Sequence, residues 1–207
     1  MLCLAAAATV YTVYVETRDR IFKAAKKLFD EKGLEGVSLR SVAKKIGITP
    51  MAIYRHFEDK QALIDALVLD GLAEWQARVE ALPPLKGVGM IEQVGEAYLD
   101  FALKEPRRFE AAFLLPSTKA RRFPDDFLAG RSPSGNVSLK VLQEAEAQGL
   151  IKGVEPIEIM IGIAALGQGL ISLYRAGRVV GGEAEFRDFY RRAMRRSIQS
   201  FLMEKTR

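Results

Sequence analysis

Apolar residues recur at the three- and four-residue spacing of an α-helix along almost the whole chain from Arg18 onward. No strand–turn–strand pattern interrupts this periodicity. The first helix is predicted to end at Gly33, because glycine is a frequent residue just after the last helical turn. Its buried stripe is predicted to consist of Ile21, Ala24, Ala25, Leu28 and Phe29.

Three further helix starts follow within the next 30 residues or so of the sequence. Ser38 is placed to cap a short second helix over 39–45. Thr49 supplies a capping oxygen and Pro50 the usual first residue of a helix, so a third helix is predicted there. Asp59 is placed to cap a long fourth helix. The first three helices form a compact N-terminal group.

Longer and more apolar helices are predicted after the interruption LPPLKG, residues 82–87. They cover 90–104, a short stretch after Pro106, 137–148, 156–175 and 184–203. Residues 115–136, rich in Pro, Gly, Ser and charge, are predicted to be a loop. The pattern predicts an all-α protein, with a three-helix domain over 16–60 and a larger helical domain over 61–207.

Residues 1–15, MLCLAAAATVYTVYV, form an apolar extension whose role the sequence does not indicate. The alternation of β-branched residues in its second half predicts an extended arm. A misassigned start site or a cloning remnant is the alternative. The run is too short to span a membrane. A secretory signal is not expected, because no Lys or Arg precedes Arg18.

Composition and charge favour a soluble protein with an anionic partner. The chain is 49% hydrophobic and 28% charged, with a formal net charge of +5. Residues 16–60 hold eleven Lys and Arg against seven Asp and Glu, so most of the excess lies in the N-terminal domain. The single cysteine, Cys3, excludes an intrachain disulfide and indicates a reducing cytoplasm.

Residues 39–57 have the layout of a helix-turn-helix, with two short helices on either side of a tight turn at Gly47. Ala43 is small enough for the second helix to cross closely over the first. In this motif the second helix lies in the major groove of DNA. A cation in the first turn of a helix opposes the helix dipole, so Lys60 is better explained as a contact to phosphate. The start of the third helix is also predicted to offer N–H groups to phosphate.

Residues 18–68 resemble the DNA-binding domain of the TetR family of transcriptional repressors. The resemblance lies in IFKAAKKLFDEKGLEGVSLRSVAKKIGITPMAIYRHFEDKQALIDAL, which covers about a quarter of the chain. It implies a DNA-facing surface made of Arg40, Thr49, Pro50, Met51, Tyr54, Arg55, His56 and Lys60. Pro50 and Met51 depart from the Lys and Gly of many relatives. Base reading there would depend more on methyl and thioether contacts.

The helix over 157–175 contains several small residues, although an internal glycine costs up to ~1 kcal/mol relative to alanine. This cost indicates either the close approach of another helix or room for a ligand. In the TetR family the last two helices form a four-helix dimer interface, so the resemblance implies a homodimer. The predicted interface consists of Gly162, Ala165, Gly169, Phe186, Phe189, Ala193 and Phe201. Ordinary packing within one chain is the alternative.

The larger domain has more aromatic and polar variety than a minimal core requires. We therefore predict a pocket for a small, apolar or aromatic effector. Its residues are Trp75, Tyr98, Phe101, Phe109, Phe113 and Gln168. The alternative is that these side chains form plain core.

Together these features predict a ligand-responsive, homodimeric transcriptional regulator of the cytoplasm. It would be a repressor that a small molecule releases from a palindromic operator in double-stranded DNA. The alternatives are a sequence-independent architectural DNA-binding protein and an α-helical enzyme or carrier. His56 is the only histidine and has no cysteine nearby, so no catalytic triad, metal site or cofactor is expected. No membrane association is expected either.

Overall fold

The computed structural model of the chain consists of α-helices joined by turns and loops, with no strand among the residues that it describes. It describes residues 2–151 and 153–202, and for residues 2–13 the backbone alone. The helices are α1 Leu2–Lys32, α2 Leu39–Ile46, α3 Pro50–Tyr54, α4 Lys60–Glu80, α5 Val88–Lys104, α6 Pro106–Phe113, α7 Asp125–Leu128, α8 Pro133–Ala147, α9 Pro156–Arg175 and α10 Glu183–Ser200. A short 3-10 turn, Leu34–Gly36, follows α1. The predicted all-α fold is confirmed.

The predicted ends of the N-terminal helices are also confirmed. Gly33 and Gly47 follow α1 and α2 with φ angles of 67° and 72°, in the left-handed region that favours glycine. The side chains of Ser38, Thr49 and Asp59 each accept a hydrogen bond from an N–H group in the next helix. The donor–acceptor distances are 3.0 Å, 3.2 Å and 2.7 Å. Local capping chemistry therefore sets where α2, α3 and α4 begin.

The extended arm predicted for residues 1–15 is wrong, because residues 2–15 form the first turns of α1. No glycine or proline occurs between residues 2 and 32, and residues 5–8 are four alanines, the strongest helix formers. Once a helix is nucleated, each added residue contributes a further backbone hydrogen bond. The modest penalty of the β-branched residues does not interrupt it.

The loop predicted over residues 115–136 is wrong in two places. It contains the short helix α7, and α8 begins at Pro133, four residues earlier than expected. The Ser132 hydroxyl accepts a hydrogen bond from the Gly135 N–H group at 3.3 Å. Ser132 and Pro133 thus repeat the helix start of Thr49 and Pro50, but the surrounding polar residues obscured it. The last residue expected for the final helix, Met203, lies outside the described residues.

The chain packs into two compact units. Unit 1 comprises Met1–Ala73 and Pro106–Ala120, and unit 2 comprises Glu74–Glu105 and Arg121–Arg207. The domain boundaries predicted along the sequence remain a prediction. The packing divides α4 and assigns α6 to unit 1.

Ion pairs and one close approach join α6 to the rest of unit 1. The Arg108 guanidinium lies 3.0 Å from the carboxylate of Asp30 on α1 and 3.4 Å from that of Asp70 on α4. At Gly71 the α4 backbone comes so near α6 that an added Cβ would lie 2.8 Å from the Ala112 nitrogen. Only a glycine allows this helix separation.

A hydrogen-bond cluster around Asp65 joins α4 to the segment after α6, also within unit 1. The carboxylate accepts from the Gln61 amide at 2.9 Å, the Ser117 hydroxyl at 2.6 Å and the Thr118 hydroxyl at 2.7 Å. The Thr118 backbone N–H group also donates to it, at 3.3 Å. This single carboxylate therefore fixes the residues that follow α6.

Unit 2 is a bundle in which α8 and α10 both pack against α5 and α9. Its interior includes Trp75, Phe101, Phe186 and Tyr190, each at most 2% exposed. The Tyr190 hydroxyl donates to the Gly95 carbonyl at 3.2 Å, which satisfies the one polar atom of a buried ring.

Candidate nucleic-acid interface

The second and third helices of unit 1 form the predicted helix-turn-helix. Gly47 turns the chain out of α2, and the Ile48 N–H group donates to the Ala43 carbonyl at 3.1 Å. The apolar residues Val42, Ala43 and Ile53 are at most 1% exposed, so they lock α3 against its neighbours. The outward face of α3 is left to polar and flexible side chains.

The structure places seven of the eight predicted DNA-facing residues at the surface of unit 1. They are Arg40, Thr49, Pro50, Met51, Tyr54, Arg55 and Lys60. Met51 is 71% exposed and Tyr54 is 52% exposed, although both have large apolar groups. Met51 and Tyr54 lie three residues apart, on one face of α3, so their exposed groups are neighbours.

The start of α3 offers fewer N–H groups to an anion than the sequence suggested. Pro50 has no N–H group, and the N–H group of Ala52 already donates to Thr49 Oγ1. Thr49 Oγ1 keeps its own proton, so this hydroxyl remains able to donate. Side chains, more than the helix end, are therefore the groups available to a phosphate.

His56 is the exception among the predicted residues, because its ring is half-buried. The ring centroid lies 4.4 Å from that of Tyr14 on α1, and its buried Nδ1 atom has no hydrogen-bond partner. Burial lowers the pKa of His56 below its usual 6.5, and the charges of Arg18 and Arg55 lower it further. These surroundings therefore favour the neutral imidazole over the charged form.

Two residues of this region were missed by the sequence analysis. Tyr14 donates through its hydroxyl to the Arg55 carbonyl at 3.2 Å, and the Arg18 guanidinium lies 4.9 Å from the centre of the Phe57 ring. Both belong to α1 and contact the residues just after α3. Their spacing of four residues, one helical turn, was the only available signal.

The predicted effector residues fall into two groups. In unit 2 the Trp75 ring lies 5.4 Å from that of Tyr98 and 6.0 Å from that of Phe101. The Tyr98 hydroxyl donates to Gln168 Oε1 at 3.0 Å, so four of the six residues form one cluster. The other two, Phe109 and Phe113, lie in unit 1 with their rings 5.1 Å apart. Within unit 2, therefore, only four of the six predicted residues come together, and within unit 1 only two.

A separate groove of about 420 Å³ runs between α5 and α10 in unit 2. Two ion pairs cross it, Glu92 with Arg195 at 3.1 Å and Glu96 with Arg191. None of the predicted effector residues lines it.

Among the described residues, no group of three or more His, Cys, Asp or Glu side chains is placed to hold a metal ion.

The predicted interface residues of α9 lie on an open face of unit 2. Gly162, Ala165 and Gly169 are exposed, and a Cβ added at either glycine would meet no atom within 4 Å. The glycines therefore have no packing reason within their own chain.

By length and composition alone α9 could cross a membrane. Its most apolar 18-residue window has a mean hydropathy of 1.6, and 28% of that window is buried.

The predicted interface residues of α10 and beyond are placed unevenly. Phe189 is 43% exposed, while Ala193 and Phe201 are half-buried. Phe186 lies in the interior, 1% exposed, with its ring stacked 4.1 Å from that of Tyr174. Phe186 has no surface that a partner chain could contact, so its predicted place in the interface is wrong. The regular spacing of the aromatic residues did not show that Tyr174 covers it.

Comparison with known sequences identifies both parts of the chain. The family described as "Bacterial regulatory proteins, tetR family" matches residues 21–67. The family described as "Tetracyclin repressor-like, C-terminal domain" matches residues 91–197, more than half of the chain. The chain is also 31% identical over 111 residues to the uncharacterized HTH-type transcriptional regulator YobS of Bacillus subtilis. That alignment covers 53% of this chain and 58% of YobS, so the chain spans somewhat over half the length of this curated relative.

Solved structures show the same fold over almost the whole chain. A protein of unknown function from Rhodococcus sp. RHA1 has a TM-score of 0.70 at 23% identity, covering 90% of this chain and 95% of that one. A TetR protein of Acinetobacter baumannii, solved in complex with minocycline, has a TM-score of 0.60 at 18% identity, covering 87% and 93%. With a matching helix-turn-helix domain, a matching C-terminal domain and this fold, the chain belongs to the TetR family of helix-turn-helix transcriptional regulators.

Proposed function

We propose that this chain is a homodimeric repressor that binds a palindromic operator and is released from it by a small apolar or aromatic molecule. The observation that carries the proposal is the outward face of α3. There Met51 and Tyr54 are 71% and 52% exposed on a helix that is capped and packed on its other side. A rigid helix with an exposed mixed surface is suited to insertion into the major groove. The cytoplasm, where a bacterium keeps its DNA, is the proposed location.

The exposed residues divide into two roles. Arg40, Tyr54 and Lys60 carry groups that donate to phosphate and would fix the position of the domain on the duplex. Arg55 and Met51 would read bases, with the guanidinium donating to guanine and the thioether contacting a thymine methyl group. The first role gives salt-dependent affinity and the second gives sequence preference.

The proposed DNA reading is tested by letting the full chain select sites from a pool of random duplexes. Fluorescence anisotropy then compares the selected duplex with a scrambled one at two salt concentrations. We expect a strong preference for the selected duplex, which Arg55→Ala reduces and Arg178→Ala, an exposed arginine of unit 2, leaves unchanged. Equal, salt-sensitive binding to both duplexes would support an architectural DNA-binding protein instead.

The proposed dimer is supported by the open face of α9. The helix exposes small residues, which allow a second helix to approach its backbone closely, so a second helix is the occupant that we propose for this face. Together with α10, two such faces would form a four-helix interface that sets two recognition helices about 34–36 Å apart, one turn of DNA. Sedimentation of the wild-type chain should show a dimer. Ala165→Arg should yield monomers, while Ala77→Arg, an equally small exposed position on α4, should not.

The proposed effector site is the cluster of Trp75, Tyr98, Phe101 and Gln168. Minocycline bound to the Acinetobacter protein supports a small-molecule site in this fold. Trp75 is the only tryptophan of the chain, so its fluorescence reports on this cluster alone. Titration with minocycline and other aromatic compounds should change the emission of Trp75. Phe101→Ala should lower the affinity for any compound that binds. If Phe101→Ala left that affinity intact, the proposed site would be wrong.

Effector release would follow from binding to one dimer shape better than to another. The ligand can shift the equilibrium only by the ratio of its affinities for the two shapes. Adding the ligand to the operator complex should therefore lower the anisotropy. A ligand that binds near Trp75 and leaves the anisotropy unchanged would contradict the proposed release but not the proposed DNA binding.

A further inference from the structure

Helix α1 extends well beyond the segment that the family shares. The family match begins at residue 21, whereas α1 begins at Leu2. Tyr14 and Arg18 lie in this additional part, one turn apart on the same face of α1. Both contact the residues at the end of α3, so α3 is also contacted by residues that precede the matched segment.

Tyr14 makes two separate contacts there. Its hydroxyl donates to the Arg55 carbonyl at 3.2 Å, and its ring lies 4.4 Å from the His56 ring at an angle of 32°. One turn further along α1, the Arg18 guanidinium covers the Phe57 ring at 4.9 Å. Three consecutive residues after α3 are thus held by one face of α1.

The recognition helix needs such support because it has only five residues. A helix so short is unstable alone, since its nucleation cost is not recovered. Thr49 satisfies an N–H group at the first end of α3. At the other end the Ile53 carbonyl accepts from the His56 and Phe57 N–H groups, and Tyr14 of α1 supplies a donor for the Arg55 carbonyl. The first end of α3 is thus fixed by local capping, and the second end by local hydrogen bonds together with a contact from α1.

We propose that Tyr14 is a positioning residue for DNA reading, which holds the end of α3 so that Tyr54 and Arg55 meet the operator in one fixed orientation. This inference rests on the proposed function. Tyr14 itself need not touch DNA, because its contacts act on the backbone of Arg55 and the ring of His56. Loss of Tyr14 is expected to affect recognition of the operator more than attraction to any duplex.

The test uses full-length Tyr14→Phe, Tyr14→Ala and Val15→Ala. The phenylalanine removes the hydroxyl and keeps the ring, whereas the alanine removes both. Val15 is the matched control, since it adjoins Tyr14 on α1 and is 47% exposed, against 44% for Tyr14. Anisotropy measures the affinity of each for the duplex selected by the wild-type protein and for a scrambled duplex.

We expect Tyr14→Phe to bind the selected duplex about threefold more weakly, as for one lost hydrogen bond at a partly exposed site. Tyr14→Ala should bind it about tenfold more weakly, because the ring contact is lost as well. Binding to the scrambled duplex should change little, since phosphate contacts dominate it. A Tyr14 that only stabilised the fold would instead weaken binding to both duplexes alike.

NMR of the single histidine supplies a readout that is independent of DNA. With carbon-13-labelled histidine, a titration of the wild-type protein should give a pKa below 6.5, and Tyr14→Phe should keep it low. Tyr14→Ala should raise the pKa towards 6.5, because the ring that shields His56 from water is gone. Unchanged operator affinity in Tyr14→Ala would overturn the proposal, and an unchanged pKa would overturn the ring contact to His56 from which it is argued.

Failure of the proposed function is distinguishable from failure of this inference. A wild-type protein that selects no sequence would overturn the regulator, and with it a positioning role. A wild-type protein that selects a site which Tyr14→Ala binds equally well would overturn the positioning role alone.

Discussion

Replacing Asp65 by asparagine is expected to loosen the segment that follows α6. The carboxylate accepts hydrogen bonds from Gln61, Ser117 and Thr118 at 2.6–3.3 Å. An asparagine of the same shape has one oxygen in place of two and no charge. Hydrogen bonds to a charged acceptor are about twice as strong as neutral ones, so most of the cluster's stability should be lost.

The size of the effect follows from the pKa of Asp65. Burial alone would raise it, but the hydrogen bonds from Ser117, Gln61 and Thr118 outweigh burial and lower the pKa from 3.8 to about 2. Each pKa unit corresponds to about 1.4 kcal/mol. Because the carboxylate is partly open to water, we discount the resulting ~2.5 kcal/mol to about 1 kcal/mol.

The same values fix the sign of the pH dependence. A carboxylate whose pKa is lowered by folding contributes stability above its unfolded pKa of 3.8, and this contribution is lost as the pH falls towards about 2. The wild-type protein should therefore exceed Asp65→Asn in stability by about 1 kcal/mol near neutral pH. The difference should shrink between pH 3.8 and about 2 and then disappear.

Urea unfolding followed by circular dichroism measures this difference at each pH. Asp19→Asn is the control, because Asp19 is an exposed aspartate of the same unit whose one ion pair, to Lys23, lies at the surface. The double variant Asp65→Asn/Ser117→Ala should be less destabilised than the sum of the single variants. Equal stability of the wild type and Asp65→Asn at neutral pH would refute the reasoning, as would a difference that persists in acid.

Three further outcomes are expected. Gly71→Ala should destabilise the protein by about 1–3 kcal/mol in urea unfolding, since its Cβ would lie 2.8 Å from the Ala112 nitrogen. Gly89→Ala is the control and should not destabilise it, because the atom nearest to its Cβ would lie 3.9 Å away. Lys60→Ala should weaken binding to every duplex and lower the slope of log affinity against log salt by about one, as anisotropy over a salt series would show. Ser132→Ala should cost about 1 kcal/mol in the same unfolding experiment, because the buried hydroxyl caps the start of α8.

The sequence predicted those features that depend on neighbouring residues. Ser38, Thr49 and Asp59 act on N–H groups three residues away, so the starts of α2, α3 and α4 could be predicted. The same chemistry at Ser132 was overlooked only because its surroundings resemble a loop. The open space beside Gly169 was likewise foreseeable, since an internal glycine has a cost that needs a reason.

Features that depend on distant residues could not be predicted in this way. His56 was expected to be exposed, but the residue that covers it, Tyr14, lies 42 positions earlier in the sequence. The regular spacing of Phe186 and Phe189 suggested one shared face. In the structure the first is buried against Tyr174 and the second is 43% exposed. Spacing along the sequence gives the side of a helix on which a side chain lies. The position of the neighbouring helices decides whether that side chain is buried or exposed.

The assignment of α6 to unit 1 has a consequence for how the protein is made. Unit 1 consists of Met1–Ala73 together with Pro106–Ala120, so its second piece is synthesised only after 32 residues of unit 2. On the ribosome the first piece of unit 1 therefore lacks Ser117 and Thr118, which donate to Asp65, and Arg108, which pairs with Asp70, until the chain has passed residue 118. A fragment that ends within α4 would carry the DNA-reading helices but leave their support incomplete, and should be prone to aggregation or proteolysis.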